Sequence, residues 1–235
     1  EAPLVADTFW LTLAGISGLS VLALEVLYAR LFALVFHNST YTFGLVLAAC
    51  LVGLSVSANL ASWMADKWSP SRLATYFCIF GAFSIANSVI VFDRVTQFRY
   101  FEKGDTFAEY LSNAFGLVSL VVMPVMLVLG LLLPLAWKAT RHQHSAGQVV
   151  GKLTAINTIA ATAGALLASF VLLPWLGLWG SFALLALGYL AVGAWLAWKT
   201  KNRVAQFLWL PTFVALGFAL RLPQEKYGLR KNEVI

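Results

Sequence analysis

The stretch Gly18–Phe36, GLSVLALEVLYARLFALVF, is almost wholly apolar, yet it holds Glu25 and Arg30. An apolar run of this length matches the roughly 20 residues a helix needs to cross the hydrocarbon of a bilayer. The whole chain agrees: 235 residues, 60% hydrophobic and 11% charged, with a mean hydropathy of +0.81. A soluble domain carries about 25% charged residues. Lipid offers no partner to backbone N–H and C=O groups, so spanning segments must be helices or a closed barrel. The alternating short strands of a barrel are absent. The expected fold class is therefore all-α, a polytopic integral membrane helix bundle.

Seven apolar runs predict seven transmembrane helices, at about 8–36, 41–65, 73–92, 113–137, 149–173, 176–198 and 204–220. Together they make one membrane domain, residues 1–221, followed by a polar tail, 222–235. Pro174 and Gly177 in LLPWLGLWG predict a tight turn between the fifth and sixth spans. The one long connection, Asp93–Ser112, mixes charge with aromatics and predicts an amphipathic helix lying in the interface. The first run is too long for a signal-peptide core and no small-residue cleavage site follows it.

Orientation follows from Lys and Arg. The even connections hold Lys67, Arg72, Lys138, Arg141, Lys152, Lys199, Lys201 and Arg203, while the third holds only Arg94, Arg99 and Lys103. The positive-inside rule then places the even connections and the N-terminus in the cytoplasm. The same rule accounts for the net charge of +6, and nucleic acid is not an expected partner, because no basic cluster is interleaved with aromatics on a polar surface.

Charges inside spans are costly and usually face a bundle interior. Glu25 and Arg30 lie about 140° apart on a helix, outside the facing i,i+3 and i,i+4 positions, so each needs its own partner. Arg30 is near enough to the end of its span to snorkel, whereas Glu25 is deeper. Ser57, Asn59, Asn87 and Asn157 are its candidate partners. Ala160, Gly164 and Ala168 recur every four residues and predict a flat helix-packing face of the small-xxx-small kind. Pro124, Gly130 and Pro134 predict a kinked fourth span, a feature that marks binding sites in many transporters. Cys50 and Cys78 sit in apolar runs as small hydrophobes. His142 and His144 lack an accompanying acid or Cys, so no metal and no cofactor is expected.

Several of these segments together resemble one family, the membrane-integral spermidine synthase-like proteins. Leu24–Glu25 with Arg30, Ser39 with Tyr41, and Leu47–Ala48 through Gly53–Leu54 match its opening pattern. Val150–Gly151, Asn157–Thr158, Pro174 and Gly177 match a second. The Ser62–Arg72 connection is also similar to the loop between the second and third helices of major facilitator transporters. Ala160, Ser57 and Ser62 stand where the family tends to place glycine. The resemblance implies a bacterial inner (plasma) membrane location and a membrane region that usually precedes a soluble aminopropyltransferase domain. That domain requires a Gly-rich nucleotide turn, and no such turn occurs in this sequence.

The expected function is a non-catalytic integral membrane subunit or anchor within a larger assembly. Its partners would be the lipid bilayer and other membrane subunits or further copies of itself. One alternative is a small-molecule or cation transporter using Glu25 and Arg30. Another is the membrane part of a polyamine-synthesising enzyme whose catalytic domain lies on a separate chain.

Overall fold

A computed structural model of the chain describes residues 7–36, 40–101, 104–140 and 146–200, together with residues 205, 207, 212, 213 and 217. Among the described residues every regular element is helical: α1 (Asp7–Phe32), α2 (Thr40–Lys67), α3 (Pro70–Thr96), α4 (Phe107–Gly130), α5 (Leu132–Thr140), α6 (Ala146–Leu167), a π-helical turn (Ala168–Leu172) and α7 (Leu173–Lys199). The apolar stretches long enough to cross a membrane number 5: Thr8–Phe32, Thr40–Lys67, Pro70–Thr96, Phe107–Thr140 and Val150–Lys199. This is a helical membrane bundle.

The expected count of seven spans is not supported. Spans five and six fall within one stretch of 50 residues, Val150–Lys199. That stretch is two helices joined at a kink. The π turn passes the Leu173 N–H to the Ala168 carbonyl just before Pro174, which has no N–H of its own. Helix α6 then runs alongside α1, with Ile156 near Gly15 and Leu19 against Gly164, and α7 runs back the other way, with Phe182 beside Tyr28 and Trp195 beside Phe9. The chain departs from helical angles only at Gly177, at φ 69° and ψ 178°, a conformation that glycine adopts without the penalty of a Cβ. The seventh run, 204–220, lies almost entirely outside the described residues, as do the polar tail, His142 and His144.

Helix α1 is central. It packs most extensively along α6 and also touches α2, α4, α5 and α7, while α2 packs on α4 and α3 on α7. The two ends of the bundle differ in chemistry. One gathers the α2–α3 turn, the end of α5 and the end of α7. There Lys138 pairs with Asp66, and Gly193 packs closely against Ile79. The other end is aromatic: Phe32 meets Phe92 edge-on at 5.3 Å, Phe36 meets Phe101 at 5.2 Å, and Phe98 meets Trp179 at 5.7 Å.

The interfacial helix expected over 93–112 does not form. Asp93–Thr96 is the last turn of α3, α4 begins at Phe107, and the described residues between them are not helical. Gln97 and Phe98 take left-handed angles, φ 49° and 54°. The Phe101 N–H donates to the Val35 carbonyl at 2.9 Å. Phe98 and Phe101 turn inward and pack against the core, while Tyr100 and Phe107 stay exposed.

Candidate functional site: a groove between α2 and α6

A cavity of ≈ 250 Å³ opens between α2 and α6. Its walls are Leu54 and Ala58 of α2 and Asn157 and Ala161 of α6. Ser17, Gly18, Val21 and Leu22 of α1 form its floor, with Gly130, Leu133, Pro134 and Trp137 from the α4–α5 junction. Small residues make this geometry. A Cβ on Gly18 would collide with the Asn157 carbonyl, and one on Gly164 with the Leu19 carbonyl. The α1 and α6 backbones therefore touch, as small-xxx-small faces allow. Ala168 is fully buried, and Ala160 lies within van der Waals reach of a Cβ built on Gly15.

The α4–α5 junction has a local cause. Pro134 cannot donate to the Gly130 carbonyl, so the helical bond at that turn is missing, and α4 gives way to α5 at Leu131, which keeps right-handed helical angles. A Cβ on Gly130 would meet the Ser57 hydroxyl, which itself donates to the Leu54 carbonyl at 2.7 Å. Pro124, in contrast, lies inside a continuous α4. Polar atoms are sparse in the groove. Ser17 Oγ donates to the Leu129 carbonyl at a long 3.5 Å, and Trp137 Nε1 is buried without a partner.

The structure does not gather the intramembrane polar residues into one cluster. Glu25 is half-buried in α1. Its carboxyl makes no hydrogen bond or ion pair among the described residues, contrary to the expectation of a polar partner on another span. Arg30 is exposed near the end of α1. Asn157 lies at the level of Gly18, seven residues from Glu25 and so about 10 Å away along the helix axis. Asn59 is exposed and donates to the Ser55 carbonyl at 3.0 Å. Asn87 is exposed on α3. Among the described residues no group of three or more His, Cys, Asp or Glu could hold a metal.

Ser17, Gly18, Ala58, Ala161 and Trp137 were not singled out from the sequence. Gly15-x-x-Gly18 was the available signal, a second pair of small residues facing the small stripe of α6. A different feature stands out beside the groove. Ser55, Ala58, Asn59 and Ser62 form one exposed stripe of α2, and Gly151, Thr154, Ala155, Thr158 and Thr162 form one of α6. The exposed side of α7 is Leu184, Leu187, Trp195 and Trp198. One side of the bundle is thus small and polar, and another aliphatic and aromatic. No protein-family model, curated protein or solved structure matches the chain.

Proposed function

We propose that this chain is a non-catalytic membrane subunit that binds a further membrane-spanning subunit across the groove between α2 and α6. The observation that carries this reading is the pair of small, polar stripes on either side of the groove. In lipid such faces are what helix–helix interfaces are made of, because small residues let backbones approach and polar side chains hydrogen-bond across. The Asn59 amide oxygen, left toward hydrocarbon, is costly without a donor. The apolar face of α7 has no such need. The chain's own next segment starts elsewhere, since Ala205 packs with Ile79 and Ala197 of α3 and α7. The resemblance to spermidine synthase-like membrane regions fits the reading, with any catalytic domain belonging to another chain. The expected orientation, with the Lys67 and Lys138 end cytoplasmic, is part of the same proposal.

The test is a photo-crosslinking residue placed at Ala58 or Thr158, and separately at Leu187, in the full chain in its native membrane. The α2 and α6 positions are expected to give one discrete protein adduct that Asn59→Leu with Thr158→Leu removes, and Leu187 to give lipid adducts only. Lipid adducts alone at all three positions would defeat the subunit reading.

The helix break at Gly130–Pro134 favours a second reading, a transporter whose substrate enters the groove, since broken helices present unbonded carbonyls at midplane sites. Flux through the purified chain alone in liposomes, abolished by Glu25→Gln at normal folded yield, would support it over the first.

A further inference from the structure

Apart from the groove, the molecule has a second cavity, of ≈ 490 Å³, at the turn from α2 to α3. Lys67, Trp68, Ser69 and Arg72 surround it, over an apolar floor that includes Met64 and Leu73. We propose that this cavity seats the phosphate of an anionic phospholipid, whose acyl chain lies along α2.

Three features support this assignment. The first is charge. Of the described cations at this end, Lys138 is paired with Asp66, while Lys152 and Lys199 stand outside the cavity. Lys67 and Arg72 stand together at the cavity. Asp66, the adjacent acid, is engaged by Lys138, so the cavity keeps a positive balance. The second is donor geometry. The Ser69 hydroxyl does not cap α3, and Pro70 occupies the first turn. The Leu73 N–H donates to the Ser69 carbonyl at 3.1 Å and Pro70 has no N–H, so the Ser69 O–H and the Ser71 and Arg72 N–H groups, which lack a partner within the helix, remain for phosphate oxygens.

The third feature distinguishes lipid from a free anion. Val52, Val56, Leu60 and Trp63 are all exposed. At about 100° per residue they share one stripe of α2 with Lys67. That stripe is apolar along the membrane and ends in a cation, with the Lys67 ammonium 4.0 Å above the Trp63 ring and Trp68 exposed beside it. An acyl chain on the stripe delivers its headgroup to the cavity. Basic pockets beside membrane helices recognise lipid headgroups in this way.

The experiment uses the full chain in detergent, mixed with phosphatidylglycerol or with phosphatidylcholine of the same acyl chains, and reads bound lipid by native mass spectrometry. Phosphatidylglycerol is expected to be retained preferentially. Lys67→Gln with Arg72→Gln is expected to weaken retention by roughly tenfold or more, and Lys152→Gln, outside the cavity, to leave it unchanged. Equal retention of both lipids, or undiminished retention in the double variant, overturns the proposal. So does a cavity that binds inorganic phosphate through Lys67 and Arg72 while ignoring the lipid. Thermal protection of the wild-type chain keeps the proposal testable if the double variant folds poorly. Phosphatidylglycerol must raise the melting temperature more than phosphatidylcholine does, and the reverse order overturns the assignment.

Discussion

Gly18 of α1 lies directly against the main-chain carbonyl of Asn157 on α6, with no room for a Cβ between them. Gly18→Leu is therefore expected to force α1 and α6 apart, at a cost of about 1–3 kcal/mol or more. Gly188→Ala is the control, because nothing lies within 4 Å of its Cβ position. Thermal melting followed by size-exclusion chromatography should show a large loss for the first and little change for the second. Equal melting of both would mean that the two helices do not cross at Gly18.

The Tyr28 hydroxyl and Ser88 Oγ are 2.7 Å apart in the buried core. Ser88 already donates to the Ile85 carbonyl, so the tyrosine is the donor of the pair. Tyr28→Phe leaves Ser88 with one bond and should cost about 0.6 kcal/mol, the usual size of such bonds in membrane proteins. Ser88→Ala strands the Tyr28 O–H and should cost more, about 1–3 kcal/mol. Chemical unfolding of the two variants in detergent gives the order, and a reversed order refutes the donor assignment.

Glu25 has no polar partner among the described residues. Glu25→Leu is accordingly expected to fold as well as the wild type or better, since it removes a carboxyl from an apolar span without orphaning a neighbour. Folded yield after detergent extraction is the measurement. A severe loss with Leu and recovery with Gln would reveal a hydrogen-bonded role for this side chain.

Cys50 and Cys78 are both buried and free, and replacing them gives a background for single labels. Gly151→Cys, exposed near the start of α6, should be shielded from impermeant thiol reagents in intact cells. Asp105→Cys, at the aromatic end, should react. The opposite pattern would invert the proposed orientation.

The helices were legible because the bilayer leaves an apolar run of this length little choice, and the stripe of Gly164 and Ala168 was legible because close packing needs small residues at every turn. The groove was not. Ala58 on α2, Asn157 on α6 and Trp137 on α5 become neighbours only through the crossing at Gly18 and the α4–α5 junction at Leu131, and neither relation is encoded in local spacing. The inward fold of Phe98 and Phe101 was also hidden. A mixed charged and aromatic segment has the same composition whether its rings face lipid or core, and two left-handed residues, Gln97 and Phe98, decide between them. At Pro174–Gly177 the composition suggested a turn, and the helix does break there, at Gly177; the π-helical turn just before it leaves no compositional mark.

The break at Gly177 has a consequence for what that position will accept. Its φ of 69° and ψ of 178° belong to a region open to glycine alone, yet nothing lies within 4 Å of a Cβ built there. Space would admit a side chain and the backbone would not. The passage from α6 into α7 depends on a residue valued for the torsion it permits, since no neighbour crowds it.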